Sequence, residues 1–283
     1  MHLAKRQIVW NSLKLLVNKF NSDQCLIFAS ALSFSSLLSI VPFLAILFAV
    51  LKLLNVQNIL APIILSNVAA GSHELITRIL QYINNTHVGS LGVVGLAMLL
   101  MSILAILDNV EDAFNIIWGV TQRKPVRNKL LGYLIVIFCI PLLITVTVLI
   151  GTSLQQQWVV QWFFQLPGFG RLLLGLFRLV PYLSIWIALV CLYKFVPNMQ
   201  IRLKNAMAGA VIAGTAWQIV QWFYIHLQIG VSRYNAIYGT LALLPVFMIW
   251  IYTSWLIVLA GMEIVYYLQN GIHAQHRYNG YKV

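Results

Sequence analysis

The chain has 283 residues, of which 61% are hydrophobic and 8% charged, whereas an ordinary soluble domain is roughly 25% charged; this composition excludes a soluble globular protein. Eighteen Lys and Arg face six Asp and Glu, for a formal net charge of +12. The basic residues are spread over several loops rather than gathered in one domain, so they read as membrane-surface loops touching anionic headgroups and not as a nucleic-acid site.

Taken in order, residues 5–20 carry Lys5, Arg6, Lys14 and Lys19, while Val9, Leu13, Leu16 and Phe20 recur at helical spacing. This predicts an amphipathic helix on the inner membrane surface, apolar side down and lysines among the headgroups. The first span is expected over 26–54, too long an apolar run for a signal-peptide core. Its small and hydroxyl residues (Ala29, Ser30, Ala31, Ser33, Ser35, Ser36, Ser39) lead to Pro42, a packing surface with a kink or else a substrate path.

Residues 55–90 follow a period near 3.6 through Ile59, Leu60, Ile63 and Ile64 and again through Leu75, Ile76, Ile79, Leu80 and Ile83, broken near Ala70 and Gly71. Each half is too short and polar to cross, so an amphipathic hairpin on the outer face is expected. A second span over 91–118 ends in Asp108, Glu111, Asp112 and Asn115, and the basic loop Arg123, Lys124, Arg127 and Lys129 follows. The third span, 130–154, contains Pro141, and the fourth, 172–196, contains Arg178 and Pro181. The fifth, 205–229, repeats small residues four apart (Ala206, Ala210, Gly214; Gly209, Ala213), the small-xxx-small signature of close helix packing. The sixth, 241–263, includes Pro245 and 22 residues without a formal charge from Leu241 to Met262, then ends on Glu263. At about 1.5 Å rise per residue such a run crosses a hydrocarbon core of about 30 Å.

The expectation is an all-α, polytopic membrane protein, a single integral domain of six transmembrane helices. Thirteen Lys and Arg fall on the side of the termini against five on or near the other, which sets both termini in the cytoplasm.

An ionisable residue beside an apolar run is expensive unless it is paired, hydrated or near the surface, so these residues carry information. Asp108, Glu111 or Asp112, and Asn115 are three or four apart and share a helix face. With Glu263 they form either a salt-bridge network at the helix ends or an inner gate or proton site. The partner of Glu263 is expected on that face or in the basic loops. Toward the outer side, Arg178 either snorkels to headgroups or, with His226 and Arg233, binds an anionic headgroup or solute. Pro42, Pro141, Pro181 and Pro245 are expected kink sites.

No HExxH, GxSxG, phosphate-binding glycine loop or zinc-finger spacing occurs, so no catalytic residue, cofactor or metal is expected. Cys25, Cys139 and Cys191 are odd in number and widely spaced; those within apolar spans read as small hydrophobes, and no disulfide framework is implied.

The stretches ALSFSSLLSIVPF (31–43) and EDAFNIIW (111–118), Arg178 with Pro181, Tyr193 with Pro197, and YGTLALLPVFMIWIYTSW (238–255) with Gly261, Met262 and Glu263 resemble the YihY and BrkB membrane proteins of bacteria, once labelled ribonuclease BN. Met262 stands where the family usually has Ala. The resemblance implies a six-helix, multi-pass protein of the bacterial inner membrane, with roles in envelope integrity and in export of lipid or lipopolysaccharide. The acids here sit beside strong basic counter-charges rather than in a metal-binding pair, which speaks against a ribonuclease. The expected activity is therefore transport or handling of an anionic lipid or amphipathic solute, with membrane lipids as partners and no nucleic acid; the alternative is a non-transporting scaffold or assembly factor.

Overall fold

A computed structural model describes residues 16–53, 88–120, 126–155, 170–232 and 236–271. Apolar chain without water must satisfy its backbone internally, and helices do so within one segment. Among the described residues six long helices result: α1 Cys25–Leu53, α2 Val88–Trp118, α3 Val126–Gln155, α4 Gly170–Phe195, α5 Leu203–Ser232 and α6 Ala236–Asn270. A shorter helical segment over residues 16–22 precedes them, and no strand occurs among the described residues.

Stretches long and apolar enough to cross a membrane are Cys25–Phe43, Val93–Trp118, Lys129–Thr147 and Pro245–Asn270, and α4 adds a shorter apolar stretch, Leu179–Phe195. Pro42, Pro141, Pro181 and Pro245 each lie inside a helix that continues past them. Of the expected amphipathic helix 5–20, residues 16–20 are described and helical, and 5–15 lie outside the described residues. The expected hairpin 55–90 lies outside them too, apart from 88–90, which begin α2. The helices overrun the apolar boundaries because backbone hydrogen bonding does not stop where hydrophobicity does. Thus α6 was expected to end at Glu263 but continues to Asn270.

The chain gathers into two compact units, Phe34–Ile106 and Met1–Ser33 with Leu107–Val283. The first carries exposed apolar side chains on both its helices, including Phe34, Leu38, Val41, Val93, Leu96 and Met101. In a membrane protein such a surface faces lipid tails, as apolar as the side chains themselves, so burial alone gives helices little reason to associate.

The second unit shows what holds them instead. Ala206, Ala210 and Ala213 on α5 are buried, and there α5 packs closely against α6, as the small-residue repeat predicts. Gly261 of α6 is the tightest point: a Cβ there would overlap the Tyr193 hydroxyl and come within 2.6 Å of Ala213 Cβ. Tyr193 is fully buried. Its hydroxyl donates to Val258 O at 2.8 Å, and its ring meets Phe114 edge-on, with centroids 5.9 Å apart at 65°. One side chain of α4 therefore contacts both α2 and α6.

Gly261→Ala should force these helices apart and lower stability by about 1–3 kcal/mol. Thermal unfolding in detergent checks this, and adding Tyr193→Phe, which removes the clashing oxygen, should recover part of the loss.

Candidate functional site

The site is built where the ends of α2 and α6 meet the N-terminal segment. A turn at Asp23 and Gln24 connects residues 16–22 to α1. Gln24 takes a positive φ of 55°, and the Asp23 N–H donates to Lys19 O at 2.8 Å. This turn delivers Lys19 to α6, where its Nζ lies 2.9 Å from Glu263 Oε2. The Glu263 side chain is only 2% exposed and that of Lys19 18%, so the lysine is not out among headgroups as the amphipathic pattern predicts. Lys19 also pairs with Asp23, donates to Ile117 O of α2 at 2.9 Å and sits 4.2 Å above the Tyr266 ring. The Cys25 thiol approaches Glu263 Oε1 at 3.9 Å. Burial works to lower the Lys19 pKa, but Glu263 and Asp23 outweigh it and hold the ammonium above its ordinary 10.5.

A second cluster occupies the α2 face read from the sequence. The spacing left Glu111 and Asp112 as alternatives, and the fold chooses Glu111: it is 2% exposed, whereas Asp112 is exposed. Lys129 of α3 bridges Asp108 Oδ1 at 2.8 Å and Glu111 Oε2 at 3.3 Å, the counter-charge expected from the basic loop. The Tyr133 hydroxyl is 2.7 Å from Asp108 Oδ1 and 2.5 Å from Glu111 Oε2; having one proton, it donates to one of them at a time. Asn198, just after α4, completes the cluster. Its Nδ2 donates to Glu111 Oε1 at 2.8 Å, and its backbone N–H donates to Asn115 Oδ1 at 3.0 Å.

Around these charges the packing is aromatic. Trp118 Nε1 lies 3.1 Å from Met262 Sδ, and the Trp118 ring meets Tyr266 edge-on at 5.2 Å. Next to Glu263, the side chains of Leu16, Val17, Phe20, Ala260 and Ile264 line an open cleft of about 220 Å³. It is apolar except for the carboxylate.

Lys19, Asp23, Tyr133 and Asn198 are not legible as partners in the sequence. The only local signals were the i,i+4 spacing of Lys19 and Asp23 and the position of Asn198 beside the Tyr193 and Pro197 motif. Glu263 was expected beside the Asp108 to Asn115 face or the basic loops; its charged partner is instead on the N-terminal segment, because the turn at Gln24 folds that segment onto α6. On the expected outer side, His226 is exposed on α5, its Nδ1 2.8 Å from Trp222 O and its ring 4.0 Å from the Trp222 ring. Arg178 falls within α4; its side chain, like the whole of Arg233, lies outside what is described.

Long apolar helices with a buried charge network at their ends define a multi-pass helical membrane protein. The family model described as "Virulence factor BrkB" matches residues 16–282, and the chain belongs to that family. Similar proteins include a UPF0761 membrane protein of Chromohalobacter salexigens, 30% identical over 279 residues, 96% of this chain and 66% of that one. Another, from Aggregatibacter aphrophilus, is 27% identical over 251 residues, 87% of each chain. A third, from Alkalilimnicola ehrlichii, is 30% identical over 275 residues, 94% of this chain and 60% of that one. The chain thus spans less than two thirds of the length of several relatives that it matches. No solved structure matches it.

Lys19→Met leaves the buried Glu263 without its counter-charge and should cost about 3–5 kcal/mol. Glu263→Gln should cost less because Lys19 keeps Asp23 and Ile117 O, and Lys19→Met with Glu263→Met should lie nearer wild type than Lys19→Met alone. Unfolding midpoints of the purified variants check the pattern. The pH dependence has a definite sign. Because the folded Lys19 pKa is raised, its contribution is complete below the ordinary value of 10.5 and is lost as pH climbs through the folded value. The midpoint should therefore fall at pH above 10.5, and Lys19→Met should remove that part of the fall.

Proposed function

We propose that the protein crosses the bacterial inner membrane six times with both termini in the cytoplasm, and handles an anionic lipid of the envelope. The observation that carries this reading is the apolar cleft of Leu16, Val17, Phe20, Ala260 and Ile264 beside the Lys19 and Glu263 pair. Such a cleft can take an acyl chain without exposing it to water, and the charged pair beside it marks the place of a headgroup. Basic residues at a membrane surface attract an anionic headgroup by about 1 kcal/mol each, and the chain's +12 charge supplies them. On the outer side, Arg178 with His226 and Arg233 is the proposed second anion seat. The scaffold reading is favoured by one observation: Lys19 contacts Glu263, Asp23 and Ile117 O together, which ties the N-terminal segment to two helices.

Reconstitution into liposomes with fluorescent phosphatidylglycerol separates the two. Lipid handling is expected to give movement of the label between leaflets above that of empty liposomes. Ala260→Trp, which fills the cleft, should reduce it severalfold with little change in unfolding midpoint, and Arg178→Ala should reduce it as well. If the wild-type protein moves no anionic lipid, the scaffold reading stands.

A further inference from the structure

Cys139 of α3 and Cys191 of α4 are 52 residues apart in sequence, yet their sulfurs lie 3.4 Å apart. Three contacts, each matching a residue of α3 to one of α4 in antiparallel order, show that this meeting belongs to the packing of the pair. Toward one end Gly132 sits against Phe195 O so closely that a Cβ would collide with it. Toward the other, Thr147 Oγ1 donates to Ser184 Oγ at 2.9 Å. The thiols lie between these two points, so the helices are pinned on both sides of them. Both cysteines are free and half-buried.

We propose that Cys139 and Cys191 are a reversible redox pair that forms an intrachain disulfide joining α3 to α4. Closure brings the sulfurs from 3.4 Å to about 2.05 Å, a short movement for two side chains on helices pinned on both sides of them. The oxidant is a small uncharged peroxide, able to enter the bilayer. One sulfur, losing its proton, attacks the peroxide O–O bond and becomes a sulfenic acid as the first water leaves. The second sulfur, losing its proton, displaces that hydroxyl as another water, so two thiols and one peroxide give one disulfide and two waters. A dithiol reverses the step by exchange. The bond fixes the α3–α4 register covalently and is independent of what the protein handles.

The test uses the full chain in nanodiscs, treated with hydrogen peroxide, then denatured and labelled with N-ethylmaleimide. Untreated protein should label at three cysteines. Treated protein should label only at Cys25 and regain the other two after dithiothreitol. A non-reducing digest should contain the Cys139 peptide joined to the Cys191 peptide. Neither Cys139→Ser nor Cys191→Ser should form the internal bond, and each should lose at most one thiol, as a sulfenic acid, under the same treatment. Full labelling after peroxide, loss that dithiothreitol does not reverse, a disulfide-linked dimer in place of the internal bond, or equal loss in Cys139→Ser would each overturn the proposal.

Discussion

The constraint on which this structure turns is a carboxylate in the middle of an apolar helix packing surface. Glu263 lies between Met262 and Ile264 on a helix with scarcely any other charge, and a buried ionised carboxylate without a partner is untenable. Its partner is Lys19, which comes from outside the long helices altogether. That requirement fixes the N-terminal segment against α6 through the turn at Gln24, and Lys19 in turn holds the end of α2 through Ile117 O. A single charge thus decides where a whole segment lies.

The second cluster extends the same logic to α3 and to the residues after α4. Glu111 is satisfied by Lys129 and Tyr133 of α3 and by Asn198 after α4. Since lipid gives no hydrophobic reward for helix association, such polar contacts and the close approach of small residues do the holding. Gly261 and Glu263 act together here. The glycine admits Tyr193 and lets α4, α5 and α6 meet, and the carboxylate two residues on recruits the N-terminal segment.

These two mechanisms differ in how they appear in a sequence. Small residues four apart on α5 repeat, and a repeat is visible, so the face of α5 that packs on α6 was legible. The acids at 108 and 111 with Asn115 were legible as a shared face, and Lys129 as a counter-charge, because both rest on local spacing. The pairing of Lys19 with Glu263 was not. It joins residues 244 positions apart, and the lysine's own surroundings follow a pattern that equally describes a helix floating among headgroups. Tyr133 and Asn198 were hidden for the same reason: each is an ordinary residue locally and becomes a hydrogen-bond donor to Glu111 only when its element is in place. The contact of Cys139 with Cys191 likewise depends on the antiparallel register of α3 and α4, which no spacing in the sequence encodes.

What the sequence determined by itself is the class of protein, its helices, the close packing of α5, the kinship with the BrkB family and the acidic face of α2. All of these follow from composition, period or motif, which are local quantities. The tertiary structure alone decided which groups answer each buried charge, that Glu111 rather than Asp112 is the inner acid, that α6 runs on past Glu263, and that an apolar cleft opens beside the Lys19 pair. Those are contacts between elements distant along the chain, and their energies exist only once the helices have met.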